Sequence, residues 1–192
     1  MERFGWQKRH ILVDRVQDAR DEQEAAKKQF QTTLERFIEV TQADVRQLES
    51  RYRRLQADFN RSEARAEDVR KRIGSIETVA ADLFKEWRAE LAQYESAELR
   101  RSSEQKLRET QQRYEQFIDA MKRAAAKMDP VLAAFRDQVL YLKHNLNAAA
   151  IAALETTTMN LEQDVSALIR EMEASIAEAN AFIQEMRQQQ GG

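Results

Sequence analysis

Cysteine is absent from this chain of 192 residues, and glycine and proline are nearly so, at four and one. Without cysteine there is no disulfide, no thiolate metal ligand and no cysteine nucleophile. Gly5, Gly74, Gly191 and Gly192 are the only glycines, so no glycine-rich loop can cradle a phosphate and no nucleophile elbow exists. Turns draw on glycine and proline, which excludes a many-turned sheet protein and disfavours a mixed fold. Aromatics make up 7% of the residues and the mean hydropathy is -0.74, too polar for a thick core. An excess of one charge is also lacking. Against 31 Lys and Arg stand 33 Asp and Glu, a net charge of -2, so no global field draws in nucleic acid or anionic membrane. No run approaches the roughly 20 apolar residues of a membrane span. Met1-Glu2-Arg3-Phe4-Gly5-Trp6 has no apolar core of a signal peptide.

What the chain does have is apolar residues at alternating steps of three and four, the seam of packed helices. One seam runs Phe30, Leu34, Phe37, slips, and resumes at Val45, Leu48, Tyr52, Leu55 and Phe59. It continues through Ala66, Val69, Ile73, Ile76, Ala80, Leu83 and Trp87 to Leu91 and Tyr94. A second runs Leu107, Tyr114, Phe117, Met121, Ala124, Met128, Val131, Phe135, Leu142. A third runs Ile151, Leu154, Thr158, Leu161, Val165, Leu168, Met172, Ala179, Phe182, Met186. Breaks fall at Thr41-Gln42-Ala43-Asp44, where Thr41 or Asp44 could cap a helix, at Tyr94-Glu95-Ser96-Ala97, and at Lys143-His144-Asn145-Leu146-Asn147.

These features predict an all-α fold with helices at about 8–41, 44–95, 98–145 and 147–188 and a flexible tail at 189–192, in one elongated domain over 1–192. Short breaks force antiparallel neighbours. The expected architecture is an antiparallel four-helix bundle or coiled coil, its second and third helices projecting as a two-helix stalk because the first is shorter. The fourth helix is acidic and the third basic, which favours their pairing. Pro130 follows Asp129 like an N-cap pair, yet the seam stays in phase across it, so Pro130 is read as a kink inside one helix. Gly74 reads as a tolerated weak spot, with close helix approach as the sharper alternative.

No catalytic, cofactor-binding or metal constellation stands out. A ferritin-like di-iron site needs paired Glu-x-x-His motifs, but Gln7 and Tyr141 precede His10 and His144 by three. His10 reads as a surface residue of a basic cluster and His144 as a helix C-terminal one. Carboxylate pairs in so charged a chain read as solvated faces, and the seam methionines as core filling. Two features rise above this background. Phe4, Trp6, Lys8, Arg9, Ile11 and Leu12 mix aromatics, cations and apolar residues like a membrane-proximal segment, the alternative being that they cap the bundle end. Arg46, Arg51, Arg53, Arg54, Arg61, Arg65, Arg70, Lys71 and Arg72 form a basic stretch. Glu49, Asp58, Glu63, Glu67 and Asp68 interleave with it, so a salt-bridged helix is a better reading than a nucleic-acid face.

Four blocks resemble domain-of-unknown-function family 2959: Lys8 to Val16, Ser62 to Ala66, Leu99 to Ser103, and Lys127-Met128-Asp129-Pro130-Val131 on to Leu146-Asn147. The likeness covers nearly the whole chain. Family members are proteobacterial and typically carry a lipoprotein-type signal ending in Cys, which this chain lacks. Some are labelled DNA repair ATPases, a label the missing phosphate loop argues against. The resemblance implies an envelope location and no activity.

The expected function is therefore that of a non-enzymatic helical structural or interaction protein of the Gram-negative envelope. It would sit in the periplasm, membrane-anchored through an N-terminal lipid absent from this chain, with an unidentified protein partner and no cofactor. As given, the chain would be soluble, and homo-oligomerisation is compatible with it. The alternatives are a nucleic-acid-associated coiled coil and a peripheral membrane-binding bundle with a concave basic face.

Overall fold

The computed structural model describes residues 2–191, with side chains from residue 5 onward. Helix accounts for 92% of the described residues, in α1 (Glu2–Thr41), α2 (Leu48–Leu91), α3 (Ala97–His144) and α4 (Ala148–Gln190). Each helix packs on the next and α4 returns to α1, while diagonal helices stand apart across the core. This is an up-down-up-down bundle. At 40, 44, 48 and 43 residues the helices are roughly 60–70 Å long, since each residue rises about 1.5 Å.

The seams are the core. From α3, Phe117, Met121, Ala124, Met128, Val131, Phe135 and Leu142 are buried, and from α4 Leu154, Leu161, Val165, Leu168, Met172, Phe182 and Met186. Near the tip, the edge-on contacts Phe84–Tyr114 and Tyr114–Phe117 and the tilted pair Phe117–Phe182 tie α2, α3 and α4 together. Burial, then the nearby Glu77, Asp119 and Glu115, push the Tyr114 hydroxyl up to about 12. The expected pairing of acidic α4 with basic α3 is present in Lys127–Glu171 at 3.0 Å and in Arg113–Glu185.

The ends differ from the expectation in several ways. α1 begins at Glu2 rather than near residue 8: Gly5 costs about 1 kcal/mol in a helix, but the following turn docks Lys8 on Glu86 at 2.9 Å and buries Leu12 and Val13. α1 therefore accompanies α2 almost to its C-terminus. The projecting stalk shrinks to the tip and the first three turns of α3, which run past the end of α4 where Gln188 and Gln189 lie beside Glu109 and Thr110. α2 starts at Leu48, not 44, because Asp44 closes a separate turn, accepting from the Arg46 and Gln47 amides at 2.9 and 3.0 Å. Val45, placed on the seam by its spacing, is 62% exposed in that turn. Tyr94 is likewise exposed, because α2 ends at Leu91. Ser96 caps α3 by accepting from the Leu99 amide, and Asn147 caps α4 by accepting from the Ala150 amide at 2.9 Å. α4 continues through Gln190 instead of loosening at 189; Gly192 lies outside the described residues.

α3 continues through Pro130. Pro130 and Ala126, whose carbonyl loses its amide donor to the proline, both lie on the exposed face, where water can take the donor's place. Gly74 has open space around it: a Cβ there would meet nothing within 4 Å, so close helix approach is not its role.

Gly74→Ala should accordingly stabilise the bundle by about 0.5–1 kcal/mol in urea denaturation. Phe135 is fully buried and edge-on to Phe37, and Phe135→Ala should cost about 3–5 kcal/mol. Neighbouring Arg136, exposed and paired with Glu63 at 3.3 Å, should cost under about 1 kcal/mol as Arg136→Ala. Equal losses for the two would place the α3 seam in the wrong phase.

Candidate functional site

The N-terminal segment, read as membrane-proximal, divides into two faces. Leu12 is fully buried, Lys8 turns to Glu86, and the Arg9 guanidinium lies 4.3 Å over the Trp87 ring. Burial pushes the Arg9 pKa down, while Glu90 and Tyr94 oppose that. Trp87 in turn donates to Ser103 Oγ at 2.9 Å. This half of the segment therefore closes the end of the bundle. The other half faces outward: Trp6 is 58% and Ile11 42% exposed. With Gln7 and His10 they line a shallow depression of 410 Å³. His10, expected on the surface, is half-buried and stands edge-on to Trp6 at 4.1 Å. The Phe4 side chain lies outside the described residues.

The basic stretch of α2 is largely engaged with acceptors. Arg51 donates to the Glu39 carbonyl. Arg53 pairs with Glu49, Arg61 with Asp58, Arg65 with Glu22, Arg70 with Asp129, Lys71 with Glu67 and Arg72 with Asp18. Arg46 and Arg54 are exposed. The groove between α2 and α3, about 510 Å³, is spanned by the Arg70–Asp129 and Arg136–Glu63 pairs.

The densest polar chemistry lies elsewhere, between α1 and α2. The Asp58 side chain is 9% exposed. It accepts from Gln29 Nε2 at 3.1 Å, Arg36 Nε at 3.1 Å and Arg61 Nη1 at 2.9 Å. Thr33 Oγ1 donates to the Asp58 carbonyl at 3.0 Å and lies 2.7 Å from Ser62 Oγ. A second buried pair, Gln23 with Ser175, joins α1 to α4 at 2.9 Å. Burial alone pushes the Asp58 carboxyl up. The hydrogen bonds from Gln29, Arg61 and Arg36, with the Arg61 charge, outweigh it and hold the carboxyl below its ordinary value. Reciprocally, the hydrogen bond to Asp58 and the Glu39 charge raise the Arg36 pKa.

These two clusters escape a reading of apolar spacing because they are polar residues at seam positions. The usable signal is phase: counting back from Phe30 by four and three gives Ala26, Gln23, Ala19, Val16 and Leu12, all buried. Among the described residues, no group of three or more His, Asp or Glu could hold a metal ion, and no helix is long and apolar enough to cross a membrane.

A carboxyl held low stabilises the fold above its unfolded pKa of about 4, and that contribution is lost as pH falls through the folded value. Asp58→Asn should cost about 1–3 kcal/mol at pH 7 in urea denaturation. The gap from wild type should narrow below about pH 4. A gap independent of pH would mean that Asp58 acts through shape and not charge.

No curated protein and no solved structure matches the chain. Residues 1–186 match the model of a family described as Protein of unknown function (DUF2959). The resemblance of the Met128-Asp129-Pro130 block and its companions thus extends over residues 1–186, and the chain belongs to that family.

Proposed function

We propose that the protein is a non-enzymatic, elongated helical protein of the Gram-negative envelope, lipid-anchored in its full-length form, whose rigid surfaces engage a protein partner. The observation that carries this reading is where its polar groups are spent. The buried carboxylate, Asp58, is saturated by Gln29, Arg36 and Arg61, and the buried amide of Gln23 by Ser175. Catalytic groups need a concavity where polar side chains converge on open space, whereas here they converge on one another. Most arginines of α2, among them Arg53, Arg61, Arg65, Arg70 and Arg72, pair with carboxylates in the same way, which supports a scaffold over a nucleic-acid face. Placement in the envelope and the lipid anchor rest on the likeness to the family.

Expression of the gene from its native start in a Gram-negative host tests the placement. The product should label with palmitate, fractionate with membranes, and leave them with detergent but not with high salt. An unlabelled cytosolic product would overturn the envelope reading. Nucleic acid that co-purifies and dissociates with a steep salt dependence would overturn the scaffold reading.

A further inference from the structure

α1 turns one residue outward every heptad: Gln7, Asp14, Asp21, Lys28 and Glu35 are all exposed. Four of them are charged, and the first is not. Around Gln7 the same face carries Trp6 and Ile11, two of the exposed large apolar side chains of the bundle, with His10 set edge-on against the indole. The cations of this segment point elsewhere, Lys8 to Glu86 and Arg9 onto Trp87. Among the described side chains, the four that line the depression here, Trp6, Gln7, His10 and Ile11, include no carboxylate, lysine or arginine, in a protein that is 33% charged; exposed charges return one turn on, at Asp14 and Arg15.

Size separates the candidate occupants. Trp6 and Ile11 expose roughly 200 Å² between them, against about 800 Å² that each partner gives a stable protein interface. A second copy of the chain would gain too little here. A lipid interface needs no such area, because an indole and an aliphatic side chain enter the headgroup region one at a time. We propose that the face of α1 formed by Trp6, His10 and Ile11 is a bilayer contact at headgroup depth, made without regard to lipid charge. A patch this small binds weakly alone and acts once the chain is already held at a surface, where its effective concentration is millimolar or higher. The inference thus rests on the tether of the proposed function.

The test supplies that tether. The full chain, extended at its N-terminus by a polyhistidine tag, is held on vesicles of phosphatidylcholine with nickel-chelating lipid. Trp87→Phe leaves Trp6 as the sole tryptophan of the two. Its emission should shift to the blue and lose most of its intensity to brominated acyl chains. In Trp6→Phe, the remaining Trp87, under Arg9 and bonded to Ser103, should be neither shifted nor quenched. Ile11→Glu should weaken Trp6 quenching several-fold with helix content unchanged. Adding phosphatidylglycerol, or raising salt to about 1 M where the Debye length is about 3 Å, should change little. Should Trp87→Phe not fold, the difference between wild type and Trp6→Phe isolates the same signal. An unmoved Trp6 emission on tethered protein overturns the inference, as does equal quenching of both tryptophans. So does a Trp6 shift that appears without vesicles and grows with protein concentration, which would assign the patch to a second copy. None of these outcomes bears on lipidation, which the tag replaces, and a cytosolic product in the fractionation experiment would leave the vesicle result standing.

Discussion

Everything in this bundle depends on burying a stripe one or two residues wide along helices of 40 to 48 residues. Such a stripe contributes little per turn, about 1.5–3 kcal/mol for each large side chain fully removed from water. The helices must be long for the total to exceed the entropy of ordering them. That constraint explains the composition. Phe30, Phe37, Phe117 and Phe135 are fully buried and serve as widely spaced anchors, while most of the remaining positions are left to charge.

A seam that repeats every heptad can slide by a heptad and still bury apolar residues, so something must choose the register. The two polar layers do so. Gln23 meets Ser175 across α1 and α4, and Thr33, Ser62 and Asp58 meet one another across α1 and α2 in the observed alignment. A slip would leave these groups buried and unpaired, at a cost of several kcal/mol, far more than the apolar seam itself would register. The surface ion pairs between α3 and α4 act in the same direction with less force.

The same economy bears on function. Polar groups that lock register are occupied and unavailable for chemistry, so what the molecule can offer to others is its outer surface. That surface is mostly an even mixture of both charges. The face formed by Trp6, Gln7, His10 and Ile11 departs from this pattern, and it lies toward the end where α1 begins and α4 finishes.

The sequence alone determined the helical class, the four-fold division and the central line of the core in α3 and α4; Ile118, Leu132, Val139, Ile176 and Ile183, buried beside that line, were not read from it, and Tyr114, Ile151 and Thr158 on it are only half-buried. Spacing by three and four is a local property, and it dictates which stripe a helix must bury. The breaks that hold Ser96 and Asn147 were legible for the same reason, and the caps found there are contacts within three residues. Tertiary structure alone decided how far the helices overlap. The first helix reads as starting near residue 8, and the docking of Lys8 on Glu86 and of Leu12 into the core accompanies its extension to Glu2. The same holds for Asp58, indistinguishable in the sequence from its charged neighbours until Gln29 and Arg36 of another helix close over it. It also decided which half of the N-terminal segment faces in. Trp6 and Leu12 are alike in hydrophobicity, and they part ways because one points away from the bundle and the other toward its axis.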